Sequence, residues 1–214
     1  MLAAMEFSEV VRRRRMVRAY DPARAVPSEI RDRILGNALH APSAGFSQGW
    51  GFLVLEAAAD RELFWSVTTE ADEADSWLTE MSTAPLLIVC FSHKDAYLDR
   101  YAEPDKGWAD REESRWPVPY WDIDTGMAAL LMLQTAVDEE LGGCFFGVPP
   151  EHIQALRAAF GVPDGFSPIG VVSIGYRMPD QKSPSLRRGR RGVDEVVHHG
   201  RWQPRSTPRS SSHS

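Results

Sequence analysis

Cysteine is nearly absent from this chain of 214 residues: only Cys90 and Cys144 occur, both in apolar runs and with no Cys-x-x-Cys. That excludes a disulfide scaffold and a cysteine zinc site, and it fits the reducing cytoplasm where we expect the protein to work. Long apolar runs are missing as well; the longest stop short of the roughly 18–20 residues that a membrane span needs. No charged-then-apolar leader opens the sequence, since Glu6 and Glu9 precede the arginines, and "MEFSEVV" makes Met5 an alternative start. There is no Gly-x-Gly-x-x-Gly, no Walker-type loop and no His-Glu-x-x-His, and Ser43 and Ser47 lack the flanking glycines of a nucleophile elbow. The adjacent His198 and His199 point in different directions on most backbones, so no metal site is expected. No nucleophile and base stand out; an enzyme built from this sequence would let a bound cofactor carry the reaction.

What is present is mostly ordinary for a globular protein, with 43% hydrophobic and 25% charged residues. The charge distribution is not ordinary. The stretch "RRRRMVRAYDP" puts five arginines into residues 12–18, and Arg187, Arg188, Arg190 and Arg191 form a second cluster. The remaining 15 Lys and Arg face 30 Asp and Glu, for a net charge of −6. A nucleic-acid binder spreads basic charge over a face and has a basic pI, so no nucleic-acid partner is expected. Two clusters on an acidic body suit one compact anion, and the planar guanidinium fork suits phosphate.

Phe7, Val10, Val11 and Arg14 follow helical spacing, and residues 28–38 follow it again, with Ser28 as N-cap and Pro42 as a stop. The short β-rich runs "GFLVLEA" and "PLLIVCF" predict buried strands with helical sequence between them. Residues 93–121 read as irregular and aromatic-rich. "DIDTGMAALLMLQTAVDEELGG" predicts a helix apolar on nearly every side, with Asp122 or Asp124 near its cap and Gly142 at its end. Such a helix belongs in a core or between subunits. "CFFGV" and "SPIGVVSIGYR" predict two more strands around a helix opened by Pro149-Pro150. No linker divides residues 5–202, which read as one α+β domain, and residues 203–214 read as a disordered tail.

The segment "HAPSAGFSQGWGFLVL" joins a helix end to a strand through small residues, which let backbone amides approach a flat ligand; Gln48 can bond a heteroaromatic edge. Read together, residues 14–20, "APSAGFSQGW", "GGCFFGVPPEHIQALRAAFGVPDGFSPIGVVSIGY" and "RRGRRGVDEVVHHGRW" resemble, in that order, the FMN-dependent nitroreductase family. The resemblance covers about residues 7–202. It implies a three-layer α/β/α sandwich with a central mixed, mainly antiparallel sheet, in an intertwined homodimer with two FMN sites at the subunit interface. By the same resemblance Arg14, Arg15 and Arg18 hold the FMN phosphate and the pyrimidine edge, with Met16 standing where the family has Ser. Pro42, Ser43 and Ala44, with Phe46 and Gln48 beside them, match the loop that reaches the flavin from the other subunit. Phe145, Phe146 and Gly147 match the segment whose backbone lies against the flavin, with a main-chain N–H near N5. Arg188 and Arg190 match the basic pair at the phosphate.

The implied activity is a ping-pong oxidoreductase that takes hydride from NADH or NADPH as co-substrate and passes it to a nitroaromatic, quinone or enone. Near N1 and O2 of reduced flavin a guanidinium such as Arg18 stabilises negative charge. Two other readings are open: a flavin-fragmenting enzyme like 5,6-dimethylbenzimidazole synthase, whose "PSVGF-x-Q" loop is close to residues 43–48, and a non-enzymatic flavin storage or sensing protein. The aromatic residues 101–121 either wall the substrate side of the flavin or pack over the sheet.

Overall fold

The computed structural model describes residues 5–70, 76–179 and 183–202. The predicted tail, 203–214, lies outside the described residues. Among those described, no helix is long and apolar enough to cross a membrane. The chain divides into two compact units, residues 1–180 and 181–214.

In the first unit the organising element is β2 (Leu86–His93), buried on both faces. Successive side chains of a strand point to opposite faces. Leu86, Ile88 and Cys90 therefore enter one hydrophobic cluster, and Leu87, Val89 and Phe91 enter another. The first cluster is closed by α2 (Ser28–Ala38) and α6 (Tyr120–Asp138), through Ile34, Ala38, Ala128, Met132 and Ala136. The second is closed by α3 (Ala58–Thr68), α4 (Ser76–Met81) and α7 (Ile153–Phe160), through Phe64, Met81 and Leu156. The result is the expected three-layer α+β sandwich. Beside β2 lie β1 (Trp50–Leu55) and β4 (Phe166–Gly175), and β3 (Gly142–Phe146) lies beyond β4. All three strand pairings are antiparallel, and among the described residues the one parallel contact is a bridge between Met16 and Gly143.

Four local expectations need correction. Ser28 is the first residue of α2, not its cap: Pro27 holds the N-cap position without a side-chain bond. The segment read as irregular contains α5 (Lys94–Ala102), whose inner face is Tyr97 and Leu98. Its many charged residues hide the short apolar stripe. Neither Asp122 nor Asp124 caps α6, which starts at Tyr120 behind Pro119; Asp122 accepts a 2.6 Å bond from Ser92 Oγ instead. Gly142 opens β3 rather than ending α6, and the left-handed turn between them falls on Glu140 at φ 60°.

In the second unit Pro184–Arg188 form a short 3-10 turn, with Ser183 Oγ accepting from the Ser185 N–H, followed by α8 (Val193–Val196). His198 and Trp202 stack with ring centroids 4.1 Å apart.

Ile88 lies on inner strand β2, is wholly buried and belongs to the cluster closed by α2 and α6. Ile88→Ala is expected to cost about 2–5 kcal/mol, seen as a lower urea midpoint at unchanged slope.

Candidate functional site

The first arginine cluster is split by the end of α1 (Phe7–Arg13). Arg12 and Arg13 both pair with Glu9, the latter through Nε at 2.5 Å, and together they hold the Glu9 carboxyl below its usual range, Arg13 foremost. They are surface helix residues. From Arg14 the chain leaves the helix and runs along the outer edge of β3. The Val17 N–H donates to the Gly143 carbonyl at 3.0 Å, and the Phe145 N–H donates to Met16 Sδ at 3.4 Å. Tyr20 fastens this segment from beneath: its hydroxyl bonds the Val17 carbonyl at 2.5 Å and Ser173 Oγ at 2.8 Å, both buried. Arg14 and Arg18 are left half-buried and Arg15 exposed. Met16 packs inward against both clusters, so its side chain is committed to the protein interior.

The neighbouring end of β3 presents backbone rather than side chains. Phe145 packs on the α6 side; Phe146 stacks on Trp65 with centroids 5.7 Å apart and meets Trp77 edge-on. An edge strand turns alternate N–H groups outward, and the Phe145 N–H is one of these; Gly147 follows the last strand residue, Phe146. Gly147 is exposed, and a Cβ built on it meets nothing within 4 Å.

The second group of expected residues forms a tight loop before β1. Gly45, Phe46 and Gln48 all adopt left-handed backbone, at φ 64°, 56° and 50°. That conformation is natural for glycine and uncommon for the other two. Ser43 Oγ accepts the Gln48 N–H at 3.0 Å, and Ser47 Oγ donates to the Ala44 carbonyl at 2.7 Å. Pro42 and Gln48 are exposed, and Phe46 projects outward with 76% of its surface accessible.

Three residues outside the expected set hold this loop: Asp124 accepts the Ala44 N–H, and Arg100 donates to the Gly45 carbonyl. Tyr97 packs its ring against Gly49, where a Cβ would come within 2.6 Å. Burial, then the bond to Asp124, drives the Tyr97 hydroxyl far above the usual phenol range, so it stays protonated and donates. The helical spacing of Tyr97 and Tyr101 was the available signal for α5; the sequence offers Asp124 only as a cap candidate for α6. The aromatic residues 101–121 favour the packing reading: Trp116 touches Tyr97, Tyr101, Trp108, Tyr120 and Trp121, with centroids 4.5 to 6.0 Å apart. Cys90 is no nucleophile, because burial pushes its thiol up to about 12.

The structure thus sets residues 14–18 along the edge of β3, where the parallel bridge of Met16 to Gly143 puts Arg18 toward Phe145 and Arg14 toward the start of the strand, and it groups Pro42, Ser43, Ala44, Phe46 and Gln48 before β1. It does not join the two groups within one chain. With strand order β1-β2-β4-β3 they lie three spacings apart, about 14 Å across the sheet. Arg188 and Arg190 belong to the second unit, where both are exposed.

An antiparallel sheet between two helical layers, with a basic edge segment and a small-residue loop, defines an α+β sandwich of the nitroreductase kind. Residues 11–176 match the family model described as "Nitroreductase family", and the chain belongs to that family of oxidoreductases. A protein of Archaeoglobus fulgidus, provisionally named NADH dehydrogenase/NAD(P)H nitroreductase, is 29% identical over 92% of this chain and 99% of its own length. A solved nitroreductase family protein from Clostridium difficile matches with TM-score 0.69 at 24% identity, over 92% of this chain and all of that one. A provisionally named nitroreductase from Exiguobacterium sibiricum, solved in complex with FMN, matches with TM-score 0.62 at 22% identity, over 89% of this chain and 99% of that one.

Because the Tyr20 hydroxyl satisfies a buried carbonyl of the arginine-bearing segment, Tyr20→Phe is expected to cost about 1–3 kcal/mol. Thermal or urea unfolding checks this; an unchanged midpoint would show that the bond does not hold the segment.

Proposed function

We propose that the protein is an FMN-dependent oxidoreductase, residues 5–202 acting as one domain, that uses NADH or NADPH and a small acceptor such as a nitroaromatic, quinone or enone. The observation that carries this reading is the β3 edge, along which the segment of half-buried Arg14 and Arg18 runs parallel through the Met16–Gly143 bridge, with exposed Gly147 just past the end of the strand. The provisional name of the archaeal relative and the FMN bound to the E. sibiricum protein support it. These residues fit the group: guanidinium forks suit a phosphate and the electron-rich pyrimidine edge, and exposed Gly147 leaves its backbone accessible to a ring. Bound there, FMN would supply hydride transfer between nicotinamide and acceptor. Arg14 and Arg15 would hold the phosphate, Arg18 would stabilise negative charge on the pyrimidine side, and the Gly147 segment would donate a main-chain N–H toward the ring. No side-chain acid or base is required by this arrangement. Arg188 and Arg190 enter as phosphate ligands through the sequence resemblance alone.

We place the loop of residues 42–48 against the flavin of a second copy. The outer face of α6 supports a homodimer: Ile123, Met127 and Leu130 form an exposed apolar stripe at helical spacing, and Phe7, Val11 and Leu39 are exposed large apolar side chains as well. Monomeric proteins rarely leave large contiguous apolar patches uncovered.

Purified protein should be yellow or take up FMN, lose the colour on anaerobic NADPH or NADH, and regain it on adding a nitroaromatic or quinone. Protein that is colourless and takes up no FMN would refute the proposal. Release of dimethylbenzimidazole from reduced FMN in air would favour the flavin-fragmenting reading instead.

A further inference from the structure

One buried charge has no part in the function proposed above. Asp124 is 4% exposed, lies just past the first turn of α6 and makes no ion pair with Lys, Arg or His among the described residues. An isolated carboxylate is costly to bury unless hydrogen bonds hold its charge. Here Oδ2 accepts two, from the Tyr97 hydroxyl at 2.8 Å and from the Ala44 N–H at 2.8 Å. The amino-terminal end of α6 adds favourable dipole potential.

The position of the second donor gives the arrangement its meaning. Ala44 opens the loop in which Phe46 and Gln48 adopt left-handed backbone. Residues other than glycine keep that conformation only where the surroundings impose it. A second hydrogen bond reaches the loop from a side chain outside it: Arg100 Nε donates to the Gly45 carbonyl at 3.0 Å, while its two terminal nitrogens are held by Asp105 at 2.7 and 2.8 Å. The Tyr101 ring lies where a Cβ on Gly45 would reach to 2.6 Å. The two anchors grip consecutive residues, one by a carboxylate from α6 and one by a guanidinium from α5. A bond to an ionised acceptor is roughly twice as strong as a neutral one.

We propose that Asp124 is a positioning residue for flavin binding: through the Ala44 N–H its buried carboxylate fixes the loop of residues 43–48 in its binding shape before the ligand arrives. This rests on the FMN reading above. A loop already ordered does not lose that freedom on binding, so affinity rises without any contact between Asp124 and the ligand.

The test compares wild type, Asp124→Asn and Tyr97→Phe by FMN titration, by hydrogen exchange of the ligand-free proteins and by visible circular dichroism of the bound flavin. Asp124→Asn keeps the size and removes the charge; FMN Kd should rise about tenfold, the loss expected when a charge-assisted bond becomes neutral. Exchange should quicken in residues 42–48 while α5 and α6 keep their protection, and the flavin dichroism should change. Tyr97→Phe leaves the charge but removes one donor, and should shift the same readouts in the same direction by about threefold or less; it serves if Asp124→Asn folds poorly. Wild-type affinity and unaltered loop exchange in both variants would overturn the positioning role. So would exchange that quickens equally across residues 94–102 and 120–138, which marks a general strut. If wild type itself takes up no FMN, the functional reading falls and the inference falls with it.

Discussion

A strand that is apolar on both faces has to be covered twice, and this constraint on β2 arranges the rest of the molecule. Seven of its eight residues, Leu86 through Ser92, are buried, which demands a helical layer above and another below. α2 and α6 answer one face; α3, α4 and α7 answer the other. With β2 and β4 enclosed between layers, the sheet offers its own backbone outward at its two edges. β1 and β3 are those edges, and each carries one group of the polar and backbone features on which the proposed function rests.

The two edges are prepared differently. At β3 the segment of residues 14–18 pairs with the strand through Met16 and Val17, with Tyr20 fixing it from the core side. A hydroxyl at position 16 would have stood at a half-buried place against two hydrophobic clusters; a thioether fits there and still accepts an N–H. At β1 the preparation is conformational, with left-handed residues held by α5 and α6. Rigid elements thus position both sets, while the groups offered to a ligand are mostly backbone and guanidinium.

How far this was legible in sequence depends on the range of the interactions. The unbroken apolar run of β2 and the apolar character of α6 are local patterns, and both strand and helix fall where those patterns put them to within a few residues. The split of the arginine run is also partly local, because Glu9 sits three and four residues before Arg12 and Arg13. α5 escaped because its charged residues mask a stripe made mainly by Tyr97 and Leu98. Asp124 escaped for a deeper reason: its partner is a backbone N–H 80 positions earlier, and a backbone donor leaves no mark on composition or spacing. The motifs identified the family; the supports beneath them became visible only in three dimensions.

The central claim is that one flavin site takes the β3 edge of one chain and the β1 loop of another. Subunit mixing addresses it directly. Arg14→Ala/Arg18→Ala damages one edge, and Gly45→Val, against Tyr101 and at positive φ, damages the other. Each homodimer alone should bind FMN poorly. Refolded together in equal amounts, half of the dimers are mixed and each regains one intact site of two, so about a quarter of wild-type FMN binding should return. If mixing restores nothing above the two parents, the edges belong to separate sites and the shared flavin site is wrong.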